Sequence, residues 1–196
     1  MTIVRLGTDM HGGRTLISAL ALGVWLTACG ADDSSGEVTI SCPPAGAVGL
    51  DPGEVAPDLL LRDCAGTEHA LRDLCPSTAA LLYTFAATCT TCQAYAASDA
   101  PNALWDKYRD HQFAMWFIVT GDATNSAPDA AYCSVVEEEF GLTMPVLFDA
   151  EAAAAAALGM PGNSGELVLS RGNLIESKTW GAQGTVLRVL EEIYGF

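Results

Sequence analysis

The chain has 196 residues, half of them hydrophobic, and carries 9 Lys+Arg against 24 Asp+Glu, a formal net charge of −15 at pH 7. No basic patch or run stands out along it, which argues against nucleic acid as a partner. Acidity this strong implies solubility and repulsion from anionic surfaces.

The N-terminus has the parts of a secretory signal. Arg5 and Arg14 precede an apolar run from Leu16 to Thr27, which breaks at Leu26-Thr27-Ala28-Cys29-Gly30. About a dozen apolar residues fall short of the roughly 20 needed to span a bilayer. Leu26-Thr27-Ala28-Cys29 resembles the lipobox of bacterial lipoproteins, in which the cysteine becomes the lipidated first residue. That resemblance implies a signal peptide over 1–28, lipidation at Cys29, and a protein exported to the cell envelope and anchored in a bacterial membrane, facing the periplasm or the cell surface. Met10 offers a second start that keeps Arg14 and the whole apolar run. Residues 29–55 read as a flexible tether and lead-in, small and polar at first and then rich in Pro and Gly from Cys42 to Pro57. The remaining stretch, 56–196, is about 140 residues, one domain's worth and long enough to bury a core without staples.

The elements come in order. Leu59-Leu60-Leu61 leads to a turn at Asp63-Cys64-Ala65-Gly66 and a polar segment ending at Leu74-Cys75-Pro76. Ala79 to Phe85 is a continuous apolar run of strand length, as a central strand covered on both faces requires. After Cys89 a helical stretch runs to about His111, with Leu104, Trp105 and Tyr108 at helical spacing and Pro101 kinking or restarting it. Phe113 to Thr120 is a second buried strand, and Pro128 to Phe140 a helix. Pro145 to Phe148 is a short strand, and Asp149 to Leu158 an alanine-rich helix starting at an Asp cap. Leu167-Val168-Leu169, a turn at Arg171-Gly172-Asn173, and Leu174 to Trp180 form a hairpin. Gly184 to Tyr194 is a closing amphipathic helix. Alternating strands and helices predict an α/β fold, with a central mixed sheet flanked by helices.

Seven cysteines are present. With Cys29 set aside, an even count in an oxidising compartment favours disulfides over metal. His11 lies in the signal, and neither His69 nor His111 has a cysteine at finger-like spacing, so no metal, haem or other cofactor is expected. Cys64 and Cys75 lie in loops on either side of one short segment, and a structural Cys64–Cys75 disulfide is expected there. The pairing of Cys42 and Cys133 stays open.

Cys89-Thr90-Thr91-Cys92 stands between the central strand and a helix. Unsatisfied N–H groups and the dipole at a helix N-terminus stabilise a thiolate, lowering cysteine pKa values from about 8.5 to roughly 3.5–7.5 in such sites. Cys89 is thus the expected nucleophile. Cys92 at i+3 shares its helical face and is placed to resolve a mixed disulfide.

Several landmarks occur together: Ala56-Pro57-Asp58, Asp63-Cys64-Ala65-Gly66, Phe85 to Cys92, Met144 to Asp149 and the C-terminal hairpin. From Pro57 onward the chain therefore resembles the thioredoxin-like redoxin superfamily, with its alkyl hydroperoxide reductase C, thiol-specific antioxidant and periplasmic thiol-disulfide reductase members. The resemblance implies a thioredoxin-like fold with an N-terminal extension. It implies a thiol-disulfide oxidoreductase, membrane-anchored through the lipidation expected at Cys29, whose partners are protein thiols or disulfides and an upstream thiol-disulfide donor. Two departures bear on substrate binding. Thr88 stands where the family usually has Trp, and the family's proline before the late strand aligns with Ser164, Pro161 lying three residues earlier. Two alternatives remain. One is a peroxiredoxin-like peroxidase, although the Pro-x-x-x-Thr-x-x-Cys pattern is absent. The other is a degenerate thioredoxin-fold binding lipoprotein with a vestigial dithiol.

Overall fold

The structure, a computed structural model, describes Cys42 and residues 46–151, 153–160, 164–181 and 183–195. The expected signal peptide, Cys29 and Pro161 lie outside the described residues. Contacts divide the chain into two units, Met1–Glu37 and Val38–Phe196. Every described residue belongs to the second.

Among the described residues the main elements run β1 (Leu60–Asp63), β2 (Glu68–Ala70), β3 (Ala79–Ala86), α1 (Thr90–Ala96), α2 (Ala100–Tyr108), β4 (Phe113–Gly121), α3 (Ala130–Phe140), β5 (Val146–Phe148), α4 (Ala154–Ala157), β6 (Ser164–Ser170), β7 (Leu174–Thr179) and α5 (Gln183–Tyr194). The strands form one mixed sheet in the order β2-β1-β5-β4-β3-β6-β7. β3, β4 and β5 are parallel and the other neighbours antiparallel.

All eight residues of β3 are buried, and the period of two along a strand sends them alternately to two cores. Leu81, Tyr83 and Phe85 pack on one face with residues of α1, α2, α3 and α5. Ala80 and Leu82 pack on the other with α4 and a 3₁₀ turn, Leu71–Leu74. The expected α/β class and mixed sheet are present.

The helical stretch after Cys89 is interrupted and restarts at Pro101, as expected. α1 ends at Ala96, and α2 restarts with Pro101 in its first turn, where a missing N–H costs nothing. The alanine-rich helix is shorter than expected, only Ala154–Ala157. Asp149 still belongs to the sheet, its N–H donating to the Val119 carbonyl at 2.9 Å. Its carboxylate instead accepts from the N–H groups of Ala153 and Ala154, at 3.1 and 2.7 Å. The β6–β7 turn needs left-handed backbone at Gly172 (φ 85°) and Asn173 (φ 56°), which these two residue types tolerate best.

The described lead-in turns back on itself, Val55 donating to the Ala47 carbonyl at 2.9 Å and Gly49 to the Val55 carbonyl at 3.0 Å, and packs along β7 rather than running extended and unpacked. Gly53 donates to the Ile175 carbonyl, Ile175 to Glu54 and Ala56 to Asn173, all within 2.9 Å.

The expected Cys64–Cys75 bridge is corrected: Cys75 joins Cys42, and Cys64 joins Cys133, with Cα–Cα distances of 5.8 and 5.1 Å. β1 and β2 form an antiparallel hairpin with Cys64 at its turn. The chain then runs back, Leu71 donating to the Leu59 carbonyl, so Cys75 emerges at the opposite end of the hairpin, where Gly172 donates to its carbonyl at 3.0 Å. Cys64 sits instead beside β5, across which α3 presents Cys133; both sulfurs lie 3.7 Å from the Val146 carbonyl.

Candidate active site

The carboxyl ends of the parallel strands β3, β4 and β5 share one end of the sheet, the end at which open α/β sheets place their ligand sites. A register shift between Phe85 and Ala86 brings Ala86 opposite Gly121, and Ala87 donates to the Gly121 carbonyl at 3.0 Å. The chain turns sharply there, Cys89 N–H returning to the Ala86 carbonyl at 3.0 Å. The Gln93 side-chain amide braces the turn by donating to the Ala87 carbonyl.

Cys89 is the N-cap of α1, with extended backbone (φ −92°, ψ 106°). Its sulfur accepts from the Cys92 N–H at 3.2 Å and lies 3.2 Å from the Thr91 hydroxyl. Those contacts are the ones a thiolate at a helix N-terminus would use, a charge-assisted N–H bond reinforced by the peptide dipoles. The two sulfurs are joined as a disulfide with a Cα–Cα distance of 5.2 Å. Cys89 is half-buried at the surface, while Cys92 is fully buried within the helical core. The geometry thus offers one sulfur to an incoming partner and shields the other.

Sequence reasoning missed what lies beneath the dithiol helix. Tyr95, one turn after Cys92, packs on Tyr83 with ring centroids 4.7 Å apart. Burial, and then the nearby Glu166 carboxylate, push its phenol up to about 12. Glu166 stands on β6 opposite Tyr83, only 2% exposed, and accepts from the Thr179 hydroxyl at 2.9 Å. A glutamate inside the apolar run Glu166-Leu167-Val168-Leu169 was the available signal, because a buried carboxylate is rare without a reason.

On the other side lies the loop after β4. The Asp122 carboxylate there accepts from the Ser126 N–H and from the N–H and hydroxyl of Thr124, each at 2.8 Å, and these bonds hold it below the usual carboxylate range. Ser164 opens β6 opposite Phe85, so its backbone lies at the dithiol end of the sheet. Among the described residues no cluster of three His, Cys, Asp or Glu is arranged to hold a metal ion, and no helix is long and apolar enough to cross a membrane.

Neither a family model nor a curated relative matches the sequence. Solved structures do. A protein from Chlorobium tepidum, assigned as the thiol:disulfide interchange protein DsbE, shares 20% identity over 74% of this chain and 96% of its own, with a TM-score of 0.60. The thioredoxin domain of a thiol-disulfide oxidoreductase from Bacteroides vulgatus shares 15% over 71% and 98%, at a TM-score of 0.58. Peroxidoxin BcpB from Mycobacterium tuberculosis shares 17% over 76% and 99%, at 0.59. At these identities the likeness is one of fold, and the fold is thioredoxin-like, as the sequence led us to expect.

Proposed function

We propose that the chain is a thiol-disulfide oxidoreductase working through Cys89 and Cys92. One observation carries the reading: half-buried Cys89 caps a helix with its sulfur on the Cys92 N–H, while Cys92 is fully buried three residues on. In the reduced chain the Cys89 thiolate bonds to one sulfur of a partner disulfide, and the partner's S–S bond breaks with release of a thiolate that takes up a proton. Cys92 then gives up its proton and attacks the Cys89 sulfur, breaking the mixed disulfide and expelling the partner sulfur bound there as a second thiolate, which takes up a proton. The partner gains two electrons, and the Cys89–Cys92 disulfide is restored. Run backwards, the same steps oxidise a dithiol. Protein thiols or disulfides are the substrate class, with an upstream dithiol protein as electron donor.

Cys92→Ser tests the reading by removing the resolving thiol. A mixed disulfide between Cys89 and its partner should accumulate, whereas Cys89→Ser should form no adduct. An adduct on Cys92, or undiminished disulfide reduction by Cys89→Ser, overturns it. The fold is shared with a peroxidoxin, so hydrogen peroxide consumption is measured alongside. Peroxide turnover that needs Cys89 and is indifferent to Cys92, without disulfide reduction, would make the chain a peroxidase. If neither disulfides nor peroxide react, the binding-lipoprotein reading takes precedence.

The reading includes export and a lipid anchor at Cys29, supported by Arg14, the apolar run and Leu26-Thr27-Ala28-Cys29. Acylation with more than one chain gives stable rather than marginal membrane attachment. Intact mass of the membrane-extracted protein checks it, and an unmodified Cys29 or another mature N-terminus overturns it.

A further inference from the structure

We infer that the groove between α1 and α3 is a docking cleft for a basic segment of the partner polypeptide, one that carries a Lys or Arg beside its redox-active cysteine. This docking role rests on the oxidoreductase reading. The groove has a volume of about 550 Å³ and starts at the dithiol turn, with Ala87 and Thr90 among its lining residues. Its lining is mixed: Ala94, Ala97 and Phe140 supply the apolar part, and Thr90, Gln93, Tyr132 and Glu139 the polar part.

Its charge is one-sided. Glu139 lines it, and Asp122 neighbours the lining residue Ala123. Both carboxylates act on the Tyr132 phenol, raising it after the larger effect of burial, so their fields converge there. Among the described residues no Lys or Arg lines the groove. Those described are engaged elsewhere. Arg62, Arg72, Lys107, Arg109 and Arg188 pair with Glu68, Asp58, Glu191, Asp106 and Glu192. Arg171 bonds to Thr78 and Gln112, and Lys178 to the Leu50 carbonyl.

A partly apolar trough with a negative side and, among the described residues, no lining Lys or Arg fits a side chain that has an aliphatic stem and a cationic head. The stem of Lys or Arg lies on the apolar lining while its head stays in water near the carboxylates, and the face of Tyr132 adds a cation–π attraction. A partner presenting carboxylates there is repelled, and such complementarity acts mainly on association rate and partner choice.

The test uses the reduced full chain and two synthetic peptides, identical except for Arg or Glu near a single cysteine held in a mixed disulfide with 2-mercaptoethanol. Cys89 attacks the peptide sulfur and expels the mercaptoethanol thiolate; Cys92 then releases the peptide thiol. The Arg peptide should react on the order of tenfold faster than the Glu peptide at low salt, converging towards equal rates near about 1 M salt. Glu139→Gln and Asp122→Asn should each narrow the ratio, while Glu68→Gln, on the far edge strand β2, should leave it. Equal rates for the two peptides, with hydroxyethyl disulfide still reduced, overturn the docking inference alone. So does a preference that survives both groove substitutions, since net charge would then explain it. Failure to reduce the peptides and hydroxyethyl disulfide alike overturns the oxidoreductase reading itself.

Discussion

At the residue scale the chemistry depends on where each side chain meets water. Cys89 and Cys92 have the same thiol, but one caps a helix at the surface and the other is enclosed by aromatic and aliphatic neighbours. Tyr95 and Glu166 divide a buried polar site under the same helix. Glu166→Gln keeps the shape and removes the charge, so the Tyr95 phenol should titrate lower than about 12. The fall should be partial, because burial is the larger cause and stays. Ultraviolet titration of the phenolate measures it, and an unchanged Tyr95 titration would count against the electrostatic link. Tyr95 and Tyr194 are both pushed up to about 12 by burial first. A raised folded-state pKa contributes stability that is complete below the unfolded value of 10 and is lost as pH climbs through the folded value. Urea midpoints should therefore fall between pH 10 and about 12, and Tyr95→Phe should flatten part of that fall.

At the element scale, short helices are held by side chains borrowed from neighbouring elements. α4 has four residues, too few to persist on local hydrogen bonds alone. It stands because Asp149, buried at the end of β5, supplies two acceptor oxygens to its first N–H groups. Asp149→Ala should cost about 1–2 kcal/mol, the upper part of the usual range for a lost cap. Urea unfolding measures this, and a loss below a few tenths would show that α4 does not depend on the cap. α3 is capped in the more usual way, Asp129 accepting from the Tyr132 N–H at 2.8 Å. It ends at Gly141, whose left-handed backbone (φ 59°) suits glycine. Those caps place Tyr132, Val136 and Glu139 along one wall of the groove.

At the scale of the whole molecule, two disulfides tie the first third of the chain to the rest. Cys64–Cys133 spans 69 residues and ties the β1–β2 turn to α3. Cys42–Cys75 spans 33 and ties the lead-in to the segment before β3. On a chain-entropy estimate the longer loop contributes about 4 kcal/mol and the shorter slightly less. Replacing Cys64 and Cys133 together with Ala should lower unfolding stability by that order, and nonreducing peptide mapping of the native protein should recover the Cys64 and Cys133 peptides joined. A Cys64–Cys75 peptide, or a double variant as stable as the parent, would refute this pairing.

What the sequence determined by itself was local. Apolar runs of strand length placed β3 and β4, helical spacing placed α3 and α5, and the break at Pro101 was marked by the residue that causes it. The dithiol was legible for the same reason, since its two cysteines lie within one helical turn and need no distant partner to share a face. Tertiary structure alone decided whatever joins residues remote along the chain. Cys64 met Cys133 because the β1–β2 hairpin carries Cys75 away from its turn and α3 crosses β5 beside it. Asp149 capped residues four and five places on because its own backbone was already committed to the sheet. Glu166 became a buried neighbour of Tyr95 only when β6 paired with β3. The groove has no sequence signature at all, because α1 and α3, which form it, are separated along the chain by α2 and β4. Periodicity and capping are encoded within a few residues, whereas pairing, burial and shape depend on which segments the folded sheet brings side by side.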